Sequence, residues 1–160
     1  MSINQLFDLS STFAIPFWFL LIGLGWLRPI ERILRSPWIA IAPALIYAIV
    51  LVPNFNIVWN TVTNGSLTAI ADLLSTPEGA TLAWAHFLAF DLLIGRWIYL
   101  DSREQRIPHL LIMPVLFLTL MIGPVGYLLY LLTRSIIKLI RRDDWSTLIL
   151  DKAPEPISET

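Results

Sequence analysis

Long uncharged apolar stretches, separated by short charged connectors, constrain this chain more than any other feature of its sequence. The first covers residues 9–27, includes STFAIPFWFLLIGLGWL and ends before Arg28. About 19 residues at about 1.5 Å each match a hydrocarbon core about 30 Å thick. Because a backbone in lipid must satisfy its own hydrogen bonds, such stretches predict membrane-spanning helices.

The composition also indicates a bilayer environment. Of the 160 residues, 56% are hydrophobic and 14% are charged, a balance unlike that of water-soluble domains. The seven Trp, eight Phe and four Tyr suit a protein with aromatic residues at the membrane interfaces. A formal net charge of −1 provides no large basic surface, so we expect no nucleic-acid partner.

The predicted fold is all-α: a polytopic helical membrane protein with four transmembrane helices and a short interfacial helix between spans two and three. Spans two, three and four are predicted at residues 38–52, 78–100 and 107–133. Span four is predicted as one long, kinked helix, because Pro114 and Gly123-Pro124 interrupt it. Residues 1–142 are expected to form a single bundle and residues 143–160 a polar, disordered tail.

The segment between spans two and three is predicted to stay at the membrane surface. Pro53 closes span two, and residues 54–60 mix aromatics with asparagines, as interfacial segments do. Residues 65–76 then place four apolar side chains at helical spacing, which predicts a short amphipathic helix. These side chains are Leu67, Ile70, Ala71 and Leu74.

The first apolar stretch has a rival interpretation as a cleavable signal peptide. Residues 1–8 contain no basic side chain, and the apolar run is longer than an ordinary signal-peptide core. We therefore expect a retained membrane anchor.

The basic residues leave the choice between four and five spans open. Four spans put the basic residues of the first two connectors on one side and those after span four on the other, so the positive-inside rule is nearly balanced. If Gly123-Pro124 were instead a turn between two undersized helices, all of these residues would share one side. We favour four spans. The two groups are Arg28, Arg32, Arg35, Arg103 and Arg106, and Arg134, Lys138, Arg141 and Arg142.

Span three carries polar residues that a lipid-facing helix would lack: His86, Asp91 and Arg96. Spaced five apart, they advance by about 140° each time and form no single stripe. Span three is therefore predicted to be the central helix of the bundle, with neighbours on several sides. Ala85 and Ala89 would allow one neighbour to approach closely.

Asp91 and His86 are candidate functional residues. An unpaired carboxylate at the depth of Asp91 costs about 2.5–3.5 kcal/mol, so this group is expected to be protonated, paired or exposed to water. An intramembrane carboxyl group indicates a functional site, but a structural hydrogen bond or ion pair between helices carries equal weight. For His86, an interhelical hydrogen bond is the alternative to catalysis.

The charges near the end of span three favour lipid-related or structural roles. Arg96 can extend toward the interface, where Asp101 and Glu104 offer partners. Arg103 belongs to a charged cluster that could contact anionic lipid. We therefore assign Arg96, Asp101 and Arg103 lipid- or structure-related roles.

Metal and cofactor chemistry are weakly indicated. His86 and His109 have no HxxxH or HExxH spacing, and the chain contains no cysteine, so no metal site is expected. Gly-rich phosphate loops and a GxSxG motif are absent from the sequence, and no cofactor is expected.

Residues from Trp84 onward, WAHFLAFDLLIGRWIYLDSREQRIPHLLIMPVLFLTLMIGPVGYLLYL, resemble the ABA-deficient-four-like family of plant plastids and cyanobacteria. The matching motifs are the D-S-R-E-x-x-I-P-H-L-L connector and the L-T-L-M-x-G-P-x-G ending of span four. The resemblance covers roughly residues 5–133. The plant proteins carry a plastid transit extension, whereas this chain starts at its first span, so a cyanobacterial member is expected.

The resemblance implies a function linked to carotenoids. The plant protein is associated with neoxanthin synthesis, in which an epoxide end group of violaxanthin becomes an allenic alcohol. Opening an epoxide needs an acid, and forming the allene needs a base. Desolvation favours a protonated Asp91, which could act as the acid, with neutral His86 as the base, so the chain is a candidate carotenoid epoxide isomerase.

The implied setting is a photosynthetic membrane, either the cyanobacterial thylakoid or the plasma membrane. The expected ligand is a carotenoid or lipid, and the expected protein partner is a second copy or another photosynthetic-membrane protein. Two alternatives remain: a non-enzymatic pigment- or lipid-binding accessory factor, and a small proton-linked transporter. A cavity open to lipid would favour carotenoid or lipid binding, and a hydrated path across the membrane would favour transport.

Overall fold

A computed structural model describes the backbone of residues 1–151 and the side chains of residues 1–141. This part of the chain contains helices and no strand, which confirms the all-α prediction. The α-helices are α1 (Ile3–Gly23), α2 (Arg28–Arg35), α3 (Ile41–Asn64), α4 (Leu67–Leu74), α5 (Pro77–Glu104), α6 (His109–Met121) and α7 (Gly123–Asp151). A short 3₁₀ helix, Pro37–Ala40, leads into α3.

Local sequence signals set several helix ends. Ser2 caps α1 in a reciprocal capping box with Gln5, and Ser66 and Thr76 cap α4 and α5 through their hydroxyl groups. Gly65 ends α3 in the left-handed conformation (φ 59°), which costs a residue without a β-carbon little. These caps turn the chain sharply at both ends of α4.

Helix α5 is the centre of the bundle, as predicted. It packs against α1, α3, α4, α6 and α7. Ala85 and Ala89 are buried, and the indole of Trp18 lies so close to Gly95 that a β-carbon there would come within 2.6 Å of the ring. Small residues along α5 therefore let its neighbours approach closely.

The prediction of four membrane-spanning helices is wrong. Within the described residues, three helical segments are both long enough and apolar enough to cross a bilayer: Ile3–Gly23, Pro37–Asn64 and Gly123–Arg141. Helix α5 has sufficient length at 28 residues, but its polar side chains lower its hydropathy. Helix α6 is apolar but has only 13 residues.

The prediction that span two ends at Pro53 is also wrong, whereas the position of residues 54–60 at the membrane surface stays a prediction. Helix α3 continues through Pro53 to Asn64. A proline removes one backbone donor but need not end a membrane helix. The side chain of Asn54 folds back and donates to the carbonyl of Val50 at 2.9 Å, which keeps its amide within the helix.

The predicted single, kinked span four is instead a hairpin. Helix α6 ends at Met121, Ile122 leaves the helical conformation (φ −146°, ψ 72°), and α7 starts at Gly123. Pro124 lacks a backbone donor, which the first turn of a helix does not need, so it suits the start of a new helix. Gly126 packs directly on Thr119, which brings the two helices together.

The hairpin returns the chain to the end of the bundle from which α6 starts. Arg134 pairs with Asp101 at 3.0 Å, and Arg141 donates to the carbonyl of Arg106 at 3.0 Å. Glu31 pairs with Arg103 at 3.1 Å, so the connector before α3 lies at the same end. We call this the basic end; it comprises Arg28, Arg32, Arg35, Arg103, Arg106, Arg134, Lys138 and Arg141. The single-sided arrangement satisfies the positive-inside rule.

The predicted interfacial segment contains a helix, α4, of eight residues. None of its residues is buried, and it packs on α3 and α5. Its orientation parallel to the membrane stays a prediction. The predicted disordered tail overlaps the end of α7, which runs to Asp151, and residues 152–160 lie outside the described residues.

The hairpin predicts which parts of the chain share a membrane side. Single cysteines replacing Arg106 and Lys138, both exposed, should be labelled by a membrane-impermeant maleimide from the same side. A cysteine replacing Thr68 on α4 should react from the opposite side if α5, whose 28 residues are long enough to cross a bilayer, crosses between Thr68 and Arg106. The natural chain contains no cysteine and is the blank. If the Lys138 and Thr68 positions were labelled from the same side, residues 107–133 would form one membrane span and not a hairpin.

Candidate functional site

A cavity of about 700 Å³ lies between α5 and the turn of the hairpin. We call residues 120–124, which form this turn, the hairpin tip. Aromatic and aliphatic side chains make up most of the cavity wall, including Phe87, Phe90 and Ile94 of α5. The indole nitrogen of Trp84 already donates to Ser11 at 2.8 Å. The remaining polar side chains in the wall are His86, Asp91 and Tyr127.

Asp91 lies under the hairpin tip. A β-carbon at Gly123 would collide with a carboxylate oxygen of Asp91, so a larger residue there would require the carboxyl group or the hairpin tip to move. Within residues 1–141, the Asp91 carboxyl group has no hydrogen bond or ion pair, although it is half-buried. This arrangement gives no support to the interpretation of Asp91 as one partner of a structural ion pair.

His86 lies one and a half turns from Asp91 and lines the same cavity. Its ring stacks on Phe90 with centroids 4.5 Å apart and lies 5.7 Å from the ring of Tyr47. No interhelical hydrogen bond to His86 is present in the described part of the chain, so the expected structural bond is replaced by aromatic contacts. The imidazole nitrogens are available to a molecule in the cavity.

Both predicted catalytic residues therefore line the cavity, but their side chains form no hydrogen bond with each other. Five residues of α-helix separate their Cα atoms by about 7.5 Å along the axis. A ligand group placed between them could contact the carboxyl group and the imidazole at once. Their roles in catalysis stay a prediction.

The other three predicted residues lie outside the cavity and hold the basic end together. Arg96 donates to the carbonyl of Arg35, not to Asp101 or Glu104 as expected. Asp101 accepts from the buried Tyr130 hydroxyl and pairs with Arg134, while Arg103 pairs with Glu31. These contacts join α2 and α7 to α5 and fit the structural part of the predicted role.

Two features of the cavity were not predicted from the sequence. The first is Tyr127, which lies in an apolar helix and has no neighbouring residues that indicate a cavity. The hairpin tip did have a signal, Gly123-Pro124, but that dipeptide is compatible with either a kink or a turn. Among the described residues, no group of three His, Cys, Asp or Glu side chains could hold a metal ion.

The helices and the cavity define a class: a polytopic, all-helical membrane protein with a largely apolar cavity that has a carboxyl group in its wall. The chain belongs to the ABA DEFICIENT 4-like family, whose sequence model matches residues 5–130. The match includes every residue that lines the cavity. No curated protein and no solved structure matches the chain.

The contact between Gly123 and Asp91 predicts that Gly123→Ala destabilises the protein. The added methyl group must displace the carboxyl group or the hairpin tip, and overpacking of this kind costs about 1–3 kcal/mol. The melting temperature of the purified variant should fall. Gly23→Ala is the matched control, because its β-carbon would make an ordinary contact with Phe19 at 3.5 Å.

The collision itself can be tested in a second background. Asp91→Ala removes the atoms that the new methyl group would meet, so Gly123→Ala should cost less stability there than in the natural chain. An equal loss in both backgrounds would show that the tip is strained for another reason.

The ion pairs of Glu31 predict a pH-dependent contribution to stability. The hydrogen bond from Arg35, followed by the contact with Arg103, holds the pKa of Glu31 below its ordinary value of 4.5. The contribution is therefore complete above pH 4.5 and is lost as the pH falls toward the folded-state pKa. Glu31→Gln should lower stability at pH 7 by about 0.2–1 kcal/mol, the usual range for exposed pairs.

Melting temperatures of the natural chain and Glu31→Gln, measured between pH 7 and pH 3, check this expectation. The difference between the two proteins should shrink below about pH 4.5, because protonation removes the same charge as the substitution. A difference that does not change with pH would contradict it.

Proposed function

We propose that this protein binds a carotenoid by one end group and isomerises that end group, as in neoxanthin synthesis. The supporting observation is the cavity whose mostly apolar wall holds Asp91 and His86. Membership of the ABA DEFICIENT 4-like family also supports the proposal, because the family resemblance described above implies a function linked to carotenoids. The proposed location is a cyanobacterial thylakoid or plasma membrane.

The size of the cavity suits part of a carotenoid. Small-molecule sites usually measure about 300–1,000 Å³, and this cavity of about 700 Å³ falls within that range. One ring and the adjoining polyene would fit, and the remainder of the molecule would lie in lipid. The exposed rings of Phe87 and Phe90 offer it an apolar surface at the mouth of the cavity.

The proposed reaction is an isomerisation and needs no oxidant or reductant. Asp91 gives a proton to the epoxide oxygen as one carbon–oxygen bond breaks, which leaves a hydroxyl group on the neighbouring ring carbon. His86 takes the proton from the adjacent polyene carbon, and the freed electron pair forms the second double bond of the allene. The net proton count is unchanged, and a proton must return from His86 to Asp91 before the next cycle.

A non-enzymatic binding factor is the second candidate, because the same cavity would serve it. The aromatic and aliphatic wall is better suited to a lipid-soluble molecule than to the passage of protons or ions, and so gives the transporter alternative less support. Conversion of a bound pigment, as opposed to binding alone, separates the two leading candidates.

Asp91→Asn tests the proposed acid. The protein should still fold, because a neutral amide is tolerated where a protonated carboxyl group was. Conversion of violaxanthin or another supplied carotenoid should fall by about 100- to 10,000-fold, the usual loss for a general acid. Product formation by the purified protein in lipid nanodiscs is the measurement, and His86→Gln should show a loss of similar size.

Asp72→Asn is the matched control, since Asp72 is an exposed residue of α4 outside the cavity wall. It should convert pigment at the rate of the natural chain. Full activity in well-folded Asp91→Asn protein would exclude the acid role. Binding without any conversion by the natural chain would favour the accessory factor.

A further inference from the structure

We propose that Tyr127 is a second ligand-binding residue of the cavity, and that its hydroxyl donates a hydrogen bond to the same end-group oxygen that faces Asp91. This inference rests on the proposed function. It adds a polar contact from α7, so the end group would be held between α5 and the hairpin.

The first argument is position. Gly123 contacts Asp91, and Tyr127 follows one helical turn later on the same face of α7. Side chains of an α-helix lean toward its N-terminus, so the Tyr127 side chain leans back toward the hairpin tip and Asp91. Both residues line the cavity.

The second argument is a contrast between two tyrosines. Tyr127 and Tyr130 both contact the ring of Trp97, with centroids 5.6 and 5.5 Å away. The Tyr130 hydroxyl donates to Asp101, whereas the Tyr127 hydroxyl has no hydrogen-bond partner within residues 1–141. Trp97 thus fixes both rings, but only one hydroxyl is used inside the protein.

The third argument is the surrounding solvent. A hydroxyl group that leaves water without a new hydrogen bond costs free energy, and lipid offers no replacement in the hydrocarbon core. A ligand oxygen at this point would accept the unused hydrogen. A hydrocarbon ligand could fill the same space but would leave the hydroxyl unpaired.

The test compares two pigments in Tyr127→Phe, which keeps the ring and removes the hydroxyl. Violaxanthin carries ring oxygens and β-carotene carries none. Affinities would be measured by quenching of tryptophan fluorescence in the full chain in nanodiscs. Violaxanthin binding should weaken by about 2- to 10-fold, the effect of one net hydrogen bond, while β-carotene binding should not change. Leu128→Phe, on the lipid-exposed face of the same turn, is the matched control and should change neither.

Unchanged violaxanthin affinity in folded Tyr127→Phe protein would overturn the inference. An equal loss for both pigments would also overturn it, because that result indicates packing and not a hydrogen bond. If the natural chain binds neither pigment, the proposed function itself fails. The expected result is that the natural chain binds violaxanthin more tightly than β-carotene, and that Tyr127→Phe reduces this preference by about 2- to 10-fold.

Discussion

The contact between Gly123 and Asp91 is the constraint on which the rest of the structure depends. It fixes the hairpin tip against the middle of α5, about 20 Å from the end of that helix at Glu104. Helix α6, with 13 residues, has a similar rise of about 20 Å, so the tip reaches Asp91 from the basic end without covering the first half of α5. The length of α6 thus sets three features together: how far the tip reaches along α5, where the cavity lies, and where α7 begins its return.

Polar groups in this protein fall into two sets with different environments. At the basic end, Arg96, Asp101 and Arg103 each have partners from another helix or connector, which offsets the free-energy cost of placing charge near lipid. In the cavity, Asp91 and Tyr127 have none within the described chain. Charges that only hold helices together usually find partners, so the unpartnered set is the stronger indication of a ligand site.

The features that the sequence predicted are those that local pattern determines. Helical structure follows from the long apolar stretches, because a backbone in lipid must satisfy its own hydrogen bonds. The positions of His86, Asp91 and Arg96 on different sides of one helix correctly predicted that α5 is the central helix. Counting membrane crossings also predicted that the connectors at residues 28–36 and 101–108 lie on the same side. Resemblance to the family, carried by the DSRE connector and the hairpin-tip motif, is confirmed by the match over residues 5–130.

The features that could not be predicted from the sequence depend on contacts between residues that are distant along the chain. An uncharged run through Gly123-Pro124 has the same hydropathy whether it forms one kinked helix or a hairpin, and the pairs that decide between them join Asp101 to Arg134 and Arg106 to Arg141. At Pro53 the error was the reverse: a helix end was predicted where the helix continues. A proline ends many helices of soluble proteins but is tolerated within α3. Tyr127 could not be recognised before α7 was known to run back along α5.

The short hairpin also leaves side chains in the first half of α5 exposed beside the cavity. Since α6 ends at the level of Asp91, the hairpin does not cover His86, Phe87 and Phe90 of α5, and these side chains stay exposed, although Tyr47 of α3 lies beside His86. A molecule in this space would meet Asp91 and Tyr127 under the tip, and His86 among aromatic rings beyond it. The proposed oxygenated carotenoid end group would suit this arrangement, because its oxygen can reach Asp91 and Tyr127 while the adjoining polyene stays among apolar groups.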